Sequence, residues 1–551
     1  MERTLSMKES EAKFGMEGGE ADYDALIIGA GISGLYQLLR LRQLGLSARV
    51  FEAGDGVGGT WFWNCYPGAR LDMESYSYAY SFSQELLDDW EWSEHFVSQP
   101  ELIRYYDEVA DRFDLRRDIE LGARVESAYF DEAQDGWEIS IEGGRRVRGR
   151  FLITAVGPLS APTLPAIEGR DAFEGEAYHT ARWPKEPVRL EGRRVGVIGT
   201  GASGVQMIQE SARVASRLTV FQRRPNWCMP LGNAAIDPSE QPALKASYPE
   251  IFERCRETRG GSLHDAAPRS MLECTAEERE AFWESQAAQR GFALWLGNYE
   301  DLLTDEKANA LATDYVAKKI RARVEDPEIA ERLIPKDHGF GMRRVPLETQ
   351  YYEVYNQDNV ELVDVLETPI DRITPRGVVV GGVEYELDVL VYATGFDAIT
   401  GALDRIDIRG RGGQRLREKW ADGPRTYLGF ASAGFPNLLT LVGPHNGSTF
   451  CNMPRCIEQN VEWAADLIRY VKDGGYHLVE AEEKAEDEWT EHVLELAEGS
   501  LLVKVDSWFT GRNVNLPGKG PRVLQYMGGA PVFRAKCDEV AKQGYEGFRL
   551  S

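Results

Sequence analysis

Residues 23–31 read YDALIIGAG, an apolar run that ends on glycines. Behind it LYQLLRLRQLG (35–45) has helix-forming composition, and SARVFEAG (47–54) gives a second short strand that ends on Glu52. Strand, tight glycine turn, helix and strand make the first unit of a doubly wound α/β domain. Gly29 allows the turn, Gly31 lets the backbone approach a pyrophosphate, and Gly34 lets the helix pack closely on the strand. The helix N-terminus then presents its positive dipole end to the phosphates. An acid 23 positions beyond Gly29 turns a weak motif into a strong one, because a carboxylate there accepts hydrogen bonds from ribose hydroxyls.

The pattern recurs at RRVGVIGTGASG (193–204), followed by helix-compatible VQMIQESARVAS and a strand, RLTVFQR. Here the position 23 beyond Gly199 is Gln222, and Arg223 and Arg224 follow it. A neutral amide and two guanidiniums suit a ribose 2′-phosphate, so the second site is expected to prefer NADP(H). The first site, with its acid, should take a nucleotide with free ribose hydroxyls, such as FAD. The expected fold class is α/β, with two Rossmann-like dinucleotide-binding domains and a helical insertion in the second.

The insertion is expected over 236–340, where Ala308, Leu311, Ala312, Tyr315, Val316 and Ile320 fall at helical spacing and Asp326-Pro327 reads as a helix start. The remaining boundaries are a disordered tail over 1–20, an FAD-binding domain over 21–158 and 395–551, and an NADP-binding domain over 159–235 and 341–394. Strand patterns resume at VELVDV (360–365) and at GVVVGGVEYELDVLVYATGF (377–396), whose buried end at Gly395 should return the chain to the first domain. FPNLLTLVGPHN (435–446) is another strand, and an amphipathic helix carrying Ile457, Val461, Ala464, Ile468 and Val471 follows, with Gly474 past its end.

A length of 551 residues allows large cores, and a net charge of −26 argues against nucleic acid or anionic membrane as partner. No apolar run is long enough to span a bilayer, and the first twenty residues lack the apolar core of a signal peptide. RRVRGR (145–150) reads as the solvated edge of a hairpin. Seven scattered cysteines fit a reducing compartment, so a cytoplasmic location is expected, and no Cys/His cluster has metal spacing. Cys451 and Cys456 have the CxxxxC spacing of flavin disulfide reductases, but their place in the chain favours two unpaired thiols.

Between the two glycine motifs lies Phe173–Pro184, FEGEAYHTARWP. Phe173, Gly175, His179, Trp183 and Pro184 match the fingerprint FxGxxxHxxxW-Pro/Asp of the Baeyer–Villiger monooxygenases, which the chain resembles. The resemblance extends through residues 56–75, ATGFD (393–397) and SWFTG (507–511), and is felt most towards phenylacetone and steroid monooxygenases. It implies an NADPH-dependent enzyme that inserts one oxygen atom from O2 beside a ketone carbonyl, giving an ester or lactone through a flavin peroxide and a tetrahedral adduct. Related monooxygenases that oxidise sulfur or nitrogen are the alternative.

The resemblance also implies roles. Arg344, in GFGMRRVPLE, would stabilise the oxyanion, and Asp72 would orient Arg344. FAD would meet Gly29, Gly31, Gly34, Glu52, Gly59, Thr60, Trp61, Trp63, Asp72, Tyr78 and Val125. NADP would meet Gly199, Thr200, Gly201, Ala202, Ser203, Gly204, Gln206, Arg223, Arg224, Arg343, Arg344 and Trp508. Arg343 stands where the family commonly has lysine, and Tyr66 joins the aromatics that mix flavin contact with packing. His445, Asn446, Phe450 and Cys451 fall in the segment expected to shape the ketone pocket, and 513–521 is a longer loop than usual. His179 invites reading as a general base, yet the chemistry needs none; the fingerprint is expected to couple domain movement to NADP(H) position.

Overall fold

The computed structural model describes residues 21–446, 451–516 and 519–551; the tail expected over 1–20 and the pocket residue Phe450 lie outside them. The fold is mixed α/β with two parallel-rich sheets. The first sheet has eight strands, in the order Asp407–Arg409, Val125–Asp131, Gly136–Ile141, Arg146–Thr154, Tyr23–Ile28, Ala48–Phe51 and Ile119–Glu120, with Leu438–Thr440 also paired to Arg146–Thr154. Around Tyr23–Ile28 it is parallel: that strand lies between Ala48–Phe51 and the inner end of Arg146–Thr154. Ala25, Leu26 and Ile27 are fully buried, as expected where helices cover both faces of a parallel sheet.

The second sheet has five parallel strands, in the order Val360–Asp364, Arg217–Gln222, Arg194–Ile198, Val389–Tyr392 and Glu176–His179. Both first turns are built alike. Gly29 has φ +104° and a Cβ there would lie 2.6 Å from the Ala155 carbonyl oxygen; Gly199 has φ +108° and would meet the Ala393 oxygen at 2.5 Å. Each turn therefore requires glycine twice over, by conformation and by space.

Between the two halves of the second sheet, residues 241–333 are mainly helical, with Glu306–Arg321 and Pro327–Leu333 where the apolar spacing and Asp326 placed them. Asp326 accepts hydrogen bonds from the Glu328 and Ile329 amides at 2.8 and 3.3 Å, closing the helix start. The chain then returns through Leu347–Glu348, which pairs with Met229–Pro230 and so fixes the segment that carries Arg344. The long amphipathic helix is Met453–Asp473, with all five expected apolar positions buried.

Two expectations are corrected. Residues 145–150 do form the return of a hairpin, but they enter an interior strand, and Arg150 is 2% exposed, donating to the Tyr476 and His477 carbonyls. Only Arg145, Arg146 and Arg148 face solvent. Cys451 and Cys456 are not unpaired: their sulfurs are bonded to each other. The other five cysteines are free. Among the described residues no helix is long and apolar enough to cross a membrane, and no cluster of His, Cys, Asp or Glu could hold a metal.

Candidate active site

A cavity of about 870 Å³ runs between the two sheets and is lined from both glycine turns. From the first come Gly29, Gly31, Ile32 and Ser33; from the second come Gly201, Ala202, Ser203 and Gln206. Helices Ile32–Gln43 and Ala202–Val214 start at those turns, and no side chain caps either one. Their first amides are thus left for an anionic ligand. Gly31 and Gly59 face each other so closely that a Cβ on Gly31 would lie 3.3 Å from the Gly59 Cα, a backbone cleft suited to a pyrophosphate. Glu52, 6% exposed, accepts from the Ala30 and Gly54 amides at 2.7 and 2.8 Å and lines the same cavity. These features fit a flavin dinucleotide in the first turn.

The cavity wall also includes Thr60, Trp61, Trp63, Tyr66, Tyr78 and Val125. Trp61 donates to the Tyr78 hydroxyl at 3.2 Å, and burial pushes the Tyr78 phenol above its ordinary range, so it stays protonated. Tyr66 donates to Gln206 at 2.6 Å, joining the first unit to the first helix of the second. Gly34 is outside the cavity: it lies beneath the turn, where a Cβ would meet the Gly29 oxygen at 1.9 Å. Gly204 repeats this role against the Gly199 oxygen at 2.2 Å.

Arg344 and Asp72 meet across the cavity. The guanidinium donates to the carboxylate at 2.5 Å, and each side chain is 27% exposed. A second nitrogen donates to the Val345 carbonyl at 3.2 Å, while the Phe292 ring centre lies 4.5 Å away and that of Trp295 5.8 Å. Phe292 and Trp295 come from the helical region, and nothing in their spacing announces a site. They hold the cation against aromatic faces and remove water from one side of it.

A second cluster lies beyond the cavity. Arg343 pairs with Asp337 at 3.1 Å, and Arg224 lies 3.5 Å from the same carboxylate. Arg223 reaches solvent, yet its pKa is lowered by desolvation and by the like charges of Arg224 and Arg343. Three guanidiniums near one or two carboxylates leave a positive site that a phosphate dianion would satisfy. Thr200 donates to the Arg224 carbonyl at 2.9 Å, fixing this loop to the second turn. Gln222, a neutral amide at the end of its strand, is buried and donates to the Arg332 carbonyl at 2.8 Å. Trp508 lines the main cavity.

The fingerprint residues lie outside that cavity. Phe173 packs against a buried apolar cluster that includes Ile373, Val378 and Leu390, and Gly175 lets its ring pass, since a Cβ would meet it at 2.5 Å. Glu176–His179 is the edge strand of the second sheet, whereas Trp183 and Pro184 border a separate hollow with Phe62 and Cys65. The Cys65 thiol approaches the Trp183 carbonyl at 3.5 Å, and Arg182 lies 4.4 Å over the Trp63 ring. His179 Nδ1 accepts from the Ala181 amide at 3.0 Å. Burial lowers its pKa to about 4, so the ring is neutral at neutral pH and is not a base poised for proton transfer.

His445 and Asn446 do not shape the cavity, as expected of them, but stand behind it. His445 bonds Thr426 Oγ1 at 3.1 Å and the Val523 carbonyl at 3.0 Å, and Asn446 donates to the Gly429 and Thr440 carbonyls. Val442, Gly443, Cys451, Met453 and Cys456 supply the wall instead. In the 513–521 loop, Asn513 donates to the Phe396 carbonyl at 2.9 Å and Lys519 pairs with Asp397 and Asp404, each at 2.8 Å.

The flavin-binding monooxygenase-like family matches residues 24–237. The chain is 46% identical to a Pseudomonas putida 2-oxo-Δ3-4,5,5-trimethylcyclopentenylacetyl-CoA monooxygenase over 96% of its own length and 98% of the relative's. It is 43% identical to the methyl acetate-forming acetone monooxygenase of Gordonia sp. (strain TY-5), over 96% and 99%. The crystal structure of OTEMO in complex with FAD and NADP superposes with a TM-score of 0.93 at 46% identity, covering 96% of this chain and all of that one. The chain belongs to the Baeyer–Villiger monooxygenases of the flavin-binding monooxygenase-like family.

Proposed function

We propose that this chain uses NADPH, FAD and O2 to insert one oxygen atom beside a ketone carbonyl, releasing an ester or lactone. The observation that carries the mechanism is the Arg344–Asp72 pair, set in a cavity lined from both glycine turns. The unit of 21–158 and 395–551 is assigned to FAD, that of 159–235 and 341–394 to NADP, and 236–340 to the helical insertion in the second Rossmann-like unit. Gly29, Gly31, Glu52 and Gly59 would hold the FAD pyrophosphate and ribose, and Trp61, Trp63, Asp72 and Tyr78 would border its ring. Gly201, Ala202 and Ser203 would meet the NADP pyrophosphate, and Arg223, Arg224 and Arg343 its 2′-phosphate. The five free, scattered thiols and the use of NADPH support a cytoplasmic location.

When bound, the flavin takes a hydride from NADPH and activates O2 for attack on the ketone. The protein's own part is electrostatic. As the carbonyl carbon is attacked, negative charge builds on its oxygen, and Arg344 donates N–H groups to it. A guanidinium keeps its charge at any working pH, so this donor needs no protonation step. Asp72 fixes its direction, and Phe292 and Trp295 exclude water, which strengthens the field at the oxygen. The remaining wall, with Trp61, Trp63, Met73 and Tyr78, keeps water from the reacting atoms.

The test is a panel of linear, cyclic and aryl ketones, with an aryl sulfide and a tertiary amine as controls, incubated with NADPH and O2. Esters or lactones are the expected products. Sulfoxide or N-oxide as the only products would overturn the reading in favour of a heteroatom monooxygenase.

A further inference from the structure

The cavity has a feature that the oxygenation chemistry does not use. Cys451 and Cys456 both line it, bonded to each other, with Cα atoms 6.4 Å apart, inside the range of roughly 4.4–6.8 Å found for disulfides. Cys451 precedes the helix Met453–Asp473 and is half-buried; Cys456 is in that helix's first turn and is 7% exposed. The residues between them are anchored to the flavin-side wall. Asn452 donates to the Ser77 carbonyl at 3.1 Å and Arg455 donates to the Ala79 carbonyl, so the pair is held beside Tyr78. A disulfide in a chain whose other thiols are free is, in a reducing compartment, a reversible one.

We propose that Cys451 and Cys456 form a redox-active pair in the wall of the ketone cavity, opened by dithiol reductants and closed by hydrogen peroxide, and that its state sets which ketones fit. The proposal rests on the oxygenase reading, because a reduced flavin that meets O2 without a ketone releases hydrogen peroxide. Closure takes two balanced steps. The thiol of Cys451, the more accessible of the two, attacks peroxide to give a sulfenic acid and one water. The thiol of Cys456 then displaces the hydroxyl from that sulfur, forming the S–S bond and releasing a second water. A dithiol reductant reverses this by exchange, taking up the two electrons and becoming a disulfide. Closed, the pair ties the segment entering the helix to its first turn, beside Met453 and Ile457 in the cavity wall. Open, the Cys451 side chain can turn away and that part of the wall gains room.

The experiment treats full-length holoenzyme with either a dithiol reductant or hydrogen peroxide, removes the reagent, denatures the protein in the presence of an alkylating agent so that buried thiols react, and digests it. Trypsin cuts after Arg455, between the two cysteines, so a closed pair holds together two peptides that otherwise separate. The expected result is seven alkylated cysteines after reduction and five after peroxide, with the linked peptides found only after peroxide. In parallel, the ratio of kcat/KM for a bulky against a small ketone should change by about tenfold between the two states, the scale carried by a methylene's worth of pocket space. Cys451→Ser and Cys456→Ser should each show the reduced-state ratio under both treatments. Absence of the linked peptides after peroxide would overturn the proposal, as would a ketone ratio that is the same in both states. Failure of the oxygenase reading would show separately, as no ester from any sample while the peptide result still stands.

Discussion

Arg344 donates to Asp72 at 2.5 Å although the two residues are 272 positions apart in the chain. The carboxylate follows directly after Ala69 and Arg70, which line the same cavity. The guanidinium comes from the return of the chain after the helical region, fixed there by the short Leu347–Glu348 pairing. This centre is thus assembled from two distant segments, one before the helical region of 241–333 and one just after it. Its geometry reports on their docking as much as on its own two side chains.

Asp72→Asn separates orientation from charge at that centre. The amide can still meet Arg344 but no longer neutralises or aligns it as a carboxylate does. Ester formation should fall by roughly 10- to 100-fold, the loss of a charge-assisted hydrogen bond worth about 1.5–3 kcal/mol. Flavin content of the purified protein and the rate of flavin reduction by NADPH should stay near those of the wild type. Measured kcat for ester equal to wild type would show that Asp72 does not position Arg344.

Arg223→Ala removes one of the three guanidiniums expected at the 2′-phosphate. The Michaelis constant for NADPH should rise by about tenfold or more, while that for NADH changes little, because only NADPH carries the dianion. Steady-state kinetics with both nucleotides checks this. Equal changes for the two would take Arg223 out of phosphate recognition.

Stability should depend on pH through two buried imidazoles. Burial lowers the pKa values of His179 and His445 from 6.5 to about 4, so the folded chain holds both neutral while the unfolded chain protonates them near 6.5. The stabilisation is therefore complete above pH 6.5 and is lost as pH falls from 6.5 towards 4. Each ring accounts for about 3 kcal/mol over that window. Denaturant midpoints measured across it should fall steeply for the wild type and less steeply for His445→Gln, which keeps a polar side chain without the titration. Identical slopes would contradict this origin of the acid sensitivity.

His179 also joins the connections between the two sheets. Its strand is the edge of the second sheet, its ring lies near Phe396 at 6.3 Å, and the Thr163 and Gly395 carbonyls flank it. Those carbonyls belong to the two segments through which the chain crosses between the two sheets, themselves bridged from Pro162 to Phe396. His179→Ala should lower the fraction of NADPH consumption that ends in ester by about two- to tenfold, with FAD binding unchanged, if the segment transmits unit movement to cofactor position. An unchanged ratio of ester to NADPH would leave the fingerprint a packing element.

The sequence was most informative where chemistry demands a backbone shape. The turns at Gly29 and Gly199 could be read because only glycine fits them, and the preference expected of the second site because Gln222 stands where an acid would. Arg344 and Asp72 could be assigned only through the family resemblance, since nothing local links positions so far apart. Phe292 and Trp295 were missed because aromatic residues in a helical region look like ordinary core. His445 looked like a pocket residue because it lies between Gly443 and Cys451, which do line the cavity; its positive φ of 65° turns it inward instead. Arg150 misled because a run of arginines reads as surface, whereas its strand lies inside the sheet and two carbonyls receive it.

The central claim is that Arg344 acts on the ketone oxygen and not on the earlier redox steps. The most direct measurement compares ester formed with NADPH consumed for Arg344→Ala and wild type under the same conditions, with flavin content determined for both. The account predicts that the variant binds FAD and consumes NADPH, while ester formation falls by about 100- to 1000-fold, the effect of losing an oxyanion donor. A variant that forms ester at the wild-type ratio would contradict it.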